Sequence, residues 1–294
     1  MTTASRSDSV RGGGRETGGR KDAYFRDKVC VITGAGSGIG RALALDLARR
    51  GAKLALSDID TDGLAETTRL VEQLGAQVKS DRLNVAEREA VLLYADAVKE
   101  HFGVVHQVYN NAGIAHHGDV VKTEFKDFDR VMDVDFWGVV NGTKAFLPYL
   151  IESGEGHVVN VSSLFGLISV PGQSAYNSAK FAVRGFTEAL RQEMIVAKTP
   201  VEVTCVHPGG IKTAVARNAT YAEGIDGKSA SSMFDKYLAI HSPEMAAKTI
   251  TEGVRRKHGR VLIGWEAKFL DLYVRVLASG YQRISATVER RFLP

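Results

Sequence analysis

Three side chains suited to proton transfer lie close together in the sequence: Ser163, Tyr176 and Lys180. Tyr176 and Lys180 are four residues apart, so on a helix they share one face, a turn from each other. A neighbouring ammonium favours the phenolate and lowers the pKa of the phenol. Ser163, just after the apolar run 157–161, is placed to bond the same substrate oxygen. The pattern predicts that Tyr176 is a general acid or base, although a half-buried ring beside a solvated amine has the same spacing.

Short apolar runs alternate with longer amphipathic segments from residue 28 onward. We predict strands at Val29–Ile32, Leu54–Asp58, Val78–Leu83, Val104–Tyr109, His157–Val161, Val201–Val206 and Val261–Ile263, and helices near residues 41–50, 64–74, 91–102, 128–151, 174–196 and 243–257. This alternation implies an α/β fold with three layers, a doubly wound Rossmann-type parallel sheet of seven strands with helices on both faces.

A glycine-rich turn, Thr33-Gly34-Ala35-Gly36-Ser37-Gly38-Ile39-Gly40, joins the first strand to the first helix. Glycines let the backbone approach a pyrophosphate, and the helix N-terminus offers unpaired N–H groups. Asp58 ends the second strand eighteen residues after Gly40, where a carboxylate would accept hydrogen bonds from the adenosine ribose. Together these features predict dinucleotide binding at Gly34, Ser37, Gly38, Ile39, Gly40 and Asp58.

The glycine turn and the distant Tyr-x-x-x-Lys pair resemble the short-chain dehydrogenase/reductase family. Its other motifs follow in order: Asn110-Asn111-Ala112-Gly113, then Ser163 before Tyr176, then Pro208-Gly209 followed by Thr213. The resemblance covers about residues 26 to 264. It implies an NAD(P)(H)-dependent oxidoreductase acting on a small-molecule alcohol or carbonyl, and a homodimer or homotetramer formed through the two long helices at 128–151 and 174–196.

The resemblance also implies a role for each site residue. Ser163 would position the substrate oxygen, Tyr176 would exchange its proton, and Lys180 would bind the nicotinamide ribose and lower the pKa of the tyrosine. The remaining cofactor contacts would come from Asn111, Ala112 and Gly113 beside the adenosine ribose, and from Pro208, Gly209, Ile211 and Thr213 around the nicotinamide.

Charge at the end of the second strand predicts NAD(H) over NADP(H). A 2′-phosphate beside Asp58 would bring two anions into contact. Relatives that use NADP usually carry a basic residue just before the second motif glycine or just after the second strand. Ser37 and Ile59 occupy those places here.

Two positions depart from the family pattern. Asp135 stands where relatives have an asparagine that helps to hold a water in a proton relay reaching Lys180. It is either a relay residue or a structural carboxylate, and ionisation inside the protein requires pairing with Lys180. Asn84, followed by Val85, replaces a more usual aspartate beside the adenine. Its amide either keeps an adenine contact or simply forms a turn.

Residues 213–241 correspond to the substrate lid of the family. Apolar side chains lie there and between the serine and the tyrosine: Leu164, Phe165, Val170, Met233, Phe234, Tyr237 and Leu238. They indicate a hydrophobic alcohol or ketone, or else they only pack the lid on the body. His116 and His117 are interpreted as rim residues, since no second metal-binding cluster accompanies them, and we expect no metal site.

The two ends of the chain differ from the single domain predicted at 26–264. Residues 1–25, rich in Gly, Ser and Arg, are predicted to be disordered, with a basic anchoring arm as the alternative. Residues 265–294 form a basic amphipathic extension. We expect it to pack on the core or on a partner subunit in preference to a membrane surface.

Composition narrows the class of protein. The net charge is only +4 and the basic excess lies largely in the tails, so no nucleic-acid surface is expected. Cys30 and Cys205 lie in apolar runs and suit a reducing, cytoplasmic setting. Two other functions compete: a membrane-associated lipid carbonyl reductase, and a dinucleotide-binding regulatory protein without turnover, which would have no need of Ser163.

Overall fold

The sheet of the computed structural model, which describes residues 23–213, 215, 218–225, 227 and 240–292, has the predicted architecture. Its strands, with those of a second small sheet, are β1 (Val29–Thr33), β2 (Lys53–Asp58), β3 (Val78–Arg82), β4 (Gln107–Asn110), β5 (His116–His117), β6 (Gly156–Val161), β7 (Val201–Pro208), β8 (Thr220–Tyr221) and β9 (Arg260–Ile263). Seven strands form one parallel sheet in the order β3-β2-β1-β4-β6-β7-β9. The prediction of a seven-stranded doubly wound sheet is therefore confirmed.

Helices cover both faces of this sheet. They are α1 (Gly38–Arg49), α2 (Thr61–Gln73), α3 (Arg88–Phe102), α4 (Phe125–Met132), α5 (Gly138–Glu152), α6 (Ser174–Val196), α7 (Pro243–Arg255), α8 (Trp265–Leu277) and α9 (Tyr281–Phe292). Successive strand residues point to opposite faces: in β1, Cys30 and Ile32 join one buried cluster with α1 and α7, whereas Val31 joins another with α3 and α5. These two cores hold the carboxyl ends of the strands in place.

The long helix predicted at 128–151 is interrupted. Helix α4 begins earlier, at Phe125, and a π-helical turn at Asp133–Trp137 separates it from α5. A π turn adds a residue to the helical repeat and is frequent at functional sites. Here it carries Asp135, which is fully buried.

The packed structure extends past the domain predicted at 26–264 at both ends. Residues 1–22 of the predicted disordered segment lie outside the described residues, but Phe25 is fully buried in the core. The packed structure therefore begins before residue 26, because the aromatic ring fills a place beside α1. At the other end, α9 touches the body where the Tyr281 hydroxyl accepts a hydrogen bond from Ser169 N at 3.3 Å. Within the described part of the chain, no helix combines the length and apolar character that a membrane crossing requires.

Candidate active site

The site residues collect at the carboxyl edge of the large sheet. Strand β1 lies between β2 and β4, so the chain reverses its direction of winding there, and a crevice opens outside the strand ends. The glycine turn after β1 and the candidate catalytic residues after β6 and on α6 both border this edge.

Close backbone approaches explain the glycines of the turn. Gly34 and Gly38 have φ of 66° and 51°, values that side chains other than glycine seldom adopt. An added Cβ on Gly34 would lie 2.7 Å from Ala112 Cα, and one on Gly40 would lie 2.0 Å from the Gly34 carbonyl oxygen. Ser37 is the N-cap of α1 but its side chain makes no capping bond. The turn is therefore shaped to bring bare backbone and a helix N-terminus to an anion.

Asp58 is fixed beside this turn by two backbone donors. Its Oδ2 accepts from Gly36 N at 2.7 Å and its Oδ1 accepts from Asp60 N at 2.9 Å. The guanidinium of Arg41 is nearby but donates to the Gly36 and Gly63 carbonyls and to Thr67 Oγ1. Ile59, the next residue after Asp58, is exposed. The carboxylate is therefore oriented at the place where the sequence predicts the adenosine ribose.

Tyr176 and Lys180 lie on the first turns of α6, and Ser163 lies just past the end of β6. The Lys180 Nζ is 5.4 Å from the centre of the Tyr176 ring, and the Ser163 side chain is one of the groups that act to lower the pKa of Tyr176. Ser163 Oγ also accepts from Phe165 N at 3.1 Å. The structure thus brings together the three residues singled out by their types and spacing.

Asp135 pairs with Lys180 inside the protein. The Lys180 Nζ lies 3.1 Å from Asp135 Oδ2 and donates to the Val161 carbonyl at 3.3 Å. Asp135 Oδ1 accepts from Ile114 N at 2.7 Å. Lys180 is only 3% exposed and Asp135 is 0% exposed. This pairing meets the condition under which a buried carboxylate can be ionised.

Burial shapes the proton affinities of this cluster. It raises the pKa of Tyr176 above its ordinary value, and Asp135 adds to the rise while Lys180 and the Ser163 side chain oppose it. The expectation of a net lowered tyrosine pKa is therefore wrong for this structure, because desolvation of the phenolate outweighs the attraction of the ammonium. Burial alone would lower the pKa of Lys180, but Asp135 and Tyr176 reverse that effect and raise it. The raised pKa keeps Lys180 in its charged ammonium form.

Replacing Asp135 with asparagine is expected to shift the pH profile of alcohol oxidation to lower pH. Tyr176 must accept a proton in that direction, and Asp135 is one of the groups that raise its pKa. Removing the negative charge stabilises the phenolate, so the rising limb should move down in pH. Rate against pH for Asp135→Asn checks this. Asp133→Asn, an exposed change on the same π turn, should leave the profile in place; an unmoved limb in Asp135→Asn would refute an electrostatic role.

The segment after β4 is hydrogen bonded to the end of β1 and to the start of the glycine turn. Thr33 Oγ1 accepts from Asn111 N and Ala112 N, both at 3.1 Å. Asn111 Nδ2 donates to the Thr33 and Gly34 carbonyls at 3.0 and 3.2 Å. The Asn111 amide therefore supports the turn. Gly113 lies against the buried pair, since an added Cβ would be 3.3 Å from Lys180 Nζ.

The Asn84 side chain bonds its own neighbours, which favours the turn-forming alternative. Its amide donates to Glu87 Oε1 at 2.9 Å, and its carbonyl oxygen accepts from Ala86 N at 3.2 Å. Val85 is buried in the core, close to Gly138. These contacts position the loop after β3 and use the polar atoms of Asn84 within that loop.

The loop after β7 meets the glycine turn. Thr213 lies 3.3 Å from the position of a Cβ on Gly38, so the two predicted cofactor segments are in contact. Pro208 ends β7, Gly209 N donates to the Ile263 carbonyl at 3.0 Å, and Ile211 is buried. The arrangement places Pro208, Gly209, Ile211 and Thr213 along one side of the crevice.

A small sheet that the sequence did not predict lies beside the residue that precedes α6. Strands β5 and β8 pair in parallel, and the His117 ring stacks on Tyr221 with ring centres 5.3 Å apart. The Nε2 of Gln173, the residue just before α6, lies 2.9 Å from His117 Nδ1.

The Phe165 ring meets the Tyr176 ring edge-on, with the two ring centres 6.3 Å apart. Among the described residues, no group of histidine, cysteine and acidic side chains could hold a metal ion.

Several sequence predictions for the lid lie outside the described residues. They concern Met233, Phe234, Tyr237 and Leu238. Of the apolar residues between Ser163 and Tyr176, Leu164 and Phe165 form a short 3₁₀ turn directly after the serine. The Val170 carbonyl accepts from Asn177 Nδ2 at 2.9 Å, which ties this loop to α6.

Known proteins resemble this chain in both sequence and fold. Residues 28–224 match the family model described as short chain dehydrogenase. The Mycobacterium tuberculosis protein named "Putative oxidoreductase SadH" is 70% identical over 270 residues, which cover 92% of this chain and 98% of that protein. A short chain dehydrogenase/reductase from Burkholderia phymatum, solved in complex with NAD, is 29% identical with a TM-score of 0.80, covering 88% of this chain and 96% of that one. Another from Mycobacterium paratuberculosis, bound to NAD, is 25% identical with a TM-score of 0.71, covering 81% and 97%.

Proposed function

Because the chain belongs to the short-chain dehydrogenase/reductase family of oxidoreductases, we propose that it transfers a hydride between NAD(H) and a hydrophobic secondary alcohol or ketone. The observation that carries this proposal is the cluster of Ser163, Tyr176, Lys180 and Asp135 beside the glycine turn. A regulatory protein that only binds a dinucleotide would not need a hydroxyl pair beside a buried ammonium.

The residues at the crevice fit a dinucleotide. At Gly34, Gly36 and Gly40 of the turn, an added Cβ would lie 2.8 Å or less from a neighbouring atom, as close approach to a pyrophosphate requires. The Asp58 carboxylate is aimed by two backbone N–H groups and would hold the ribose hydroxyls, while the Pro208–Thr213 loop would flank the nicotinamide. When bound, a nicotinamide supplies the hydride chemistry that side chains lack.

The protein residues handle the proton. In carbonyl reduction the Tyr176 hydroxyl would donate its proton to the substrate oxygen, and the Ser163 hydroxyl would hold that oxygen in place. Lys180, kept charged by Asp135, would stabilise the phenolate left behind. In alcohol oxidation the same phenolate would accept the proton. The raised pKa of Tyr176 suits the acid role at neutral pH and makes oxidation faster as pH rises.

The substrate proposal rests on the apolar surroundings of Tyr176, where Phe165 packs against its ring. Following NADH absorbance against a panel of steroid, retinoid, long-chain and small secondary alcohols and ketones tests the reaction and its substrate class. A protein that binds the dinucleotide but turns over none of these compounds would count against the proposal.

Replacing Asp58 with asparagine is expected to reduce the preference for NADH over NADPH about tenfold or more, because it removes the anion that would face a 2′-phosphate. Asp58 is half-buried, so solvent screens part of this repulsion. Dissociation constants for both dinucleotides, measured by fluorescence, need no substrate. Asp62→Asn removes an exposed charge from the first turn of α2 and should change neither constant. A wild-type preference for NADPH would reverse the proposed cofactor choice.

A further inference from the structure

The C-terminal extension reaches into the proposed nicotinamide loop through a single carboxylate. Glu266, in the first turn of α8, accepts a hydrogen bond from Gly210 N at its Oε1, at 3.2 Å. Its Oε2 lies 2.9 Å from His241 Nε2. Both side chains are mostly buried, at 16% and 19% exposure. One carboxylate therefore bonds two segments that are far apart in the sequence.

The end of the sheet explains how Glu266 arrives there. Pro208 of β7 pairs with Ile263 of β9, so the chain leaves both strands side by side. Gly264, at a φ of 94°, then turns the chain into α8. An added Cβ on Gly209 would lie 2.1 Å from Glu266 Oε1. The glycine after Pro208 thus makes room for the carboxylate as well as for the backbone.

The two segments held by Glu266 also pair with each other. His241 N donates to the Gly210 carbonyl, and Lys212 N donates to the His241 carbonyl, each at 3.0 Å. Ile211 and His241 form a parallel bridge there. Glu266 makes one hydrogen bond with Gly210 and one with His241, on the two sides of this bridge. Without the Glu266 carboxylate, only the bridge itself would hold the Gly210–Lys212 backbone.

We propose that Glu266 is a positioning residue that sets the Pro208–Thr213 loop for dinucleotide binding. This inference rests on the proposed function, which places that loop against the nicotinamide. Thr213, at the end of the loop, touches the turn at Gly38, so a shift of the loop would be transmitted to the pyrophosphate side of the crevice. The first turn of α8 is in this sense part of the cofactor site.

Replacing Glu266 with alanine is expected to weaken NADH binding about tenfold, because a charged acceptor for two hydrogen bonds is lost. The Michaelis constant for the dinucleotide should rise accordingly, with a smaller change in kcat. Glu266→Gln keeps the shape and one acceptor oxygen for Gly210 N, so it should retain most of the affinity. Glu72→Ala, an exposed change at the end of α2, is the matched control.

Two measurements on the full chain test the inference: the dissociation constants of NADH and NADPH by fluorescence, and hydrogen exchange of peptides that contain Gly210, Lys212 and His241. We expect faster exchange and weaker binding in Glu266→Ala, and neither in Glu72→Ala. Unchanged dinucleotide affinity in Glu266→Ala overturns the positioning role, even if exchange is faster. A wild-type protein that binds neither dinucleotide contradicts the proposed function itself, and the inference falls with it.

Discussion

Replacing Tyr176 with phenylalanine is expected to lower turnover about a thousandfold while leaving dinucleotide affinity and folding nearly unchanged. The phenolic hydroxyl is the proposed proton donor, and positioned acid–base groups typically contribute factors of this size. The ring itself packs against Phe165, and phenylalanine preserves that contact. Initial rates of NADH oxidation with the best carbonyl substrate, together with NADH dissociation constants, measure both effects.

The control for this variant is Tyr149→Phe. Tyr149 lies on α5 and its hydroxyl bonds to Asp96 on α3, so the change removes a hydroxyl from another helix. Turnover should stay at the wild-type value. Activity in Tyr176→Phe within a few-fold of wild type would assign the proton to another group and remove the tyrosine from the mechanism.

Replacing Lys180 with methionine is expected to abolish activity and to reduce the free energy of unfolding by about 3 kcal/mol at neutral pH. The substitution leaves the Asp135 carboxylate buried without the ammonium that lies 3.1 Å away. For a chain of this size the midpoint of thermal unfolding should fall by roughly 6–12 °C. Calorimetry and NADH-coupled rates measure the two effects.

The stability loss in Lys180→Met should depend on pH with a definite sign. Burial raises the pKa of Asp135 in the folded state, and Lys180 opposes that rise, so the variant raises it further. A carboxyl group with a raised folded-state pKa destabilises the fold above its unfolded-state pKa, near pH ~4. The loss should therefore be small in acid, grow as pH rises, and level off once pH passes the folded-state pKa.

The double variant Asp135→Asn/Lys180→Met separates this explanation from simple loss of packing. With the charge on residue 135 removed as well, most of the lost stability should return. Lys248→Met, an exposed lysine on α7, should cost little. A double variant no more stable than Lys180→Met would show that the ion pair is not the cause.

The large sheet and the glycine turn could be predicted because their causes are local in sequence. The β-branched runs at 29–32 and 201–206 become β1 and β7, and the turn places its glycines where no side chain fits. The proximity of Tyr176 and Lys180 could likewise be predicted, because both residues lie on the regular helix α6. Each of these features depends on residues only a few positions apart.

Other features depend on contacts that the sequence does not display. The apolar pattern of residues 133–137 is that of an ordinary α-helix, so it does not predict the π turn found there. The raised pKa of Tyr176 follows from burial, which is a property of the assembled site. Strand β8 is two residues long and pairs with β5, too short for any periodicity. Glu266 belongs to no motif in the sequence, and only the pairing of β7 with β9 brings it to Gly210.

A crystal structure of the full-length protein with NADH bound tests the central claim most directly, since it needs no knowledge of the substrate. We predict the nicotinamide between the Pro208–Thr213 loop and α6, with the hydroxyls of Tyr176 and Ser163 pointing at the same space beside its ring. A Tyr176 hydroxyl turned away from the nicotinamide, or a dinucleotide bound elsewhere, would contradict the account.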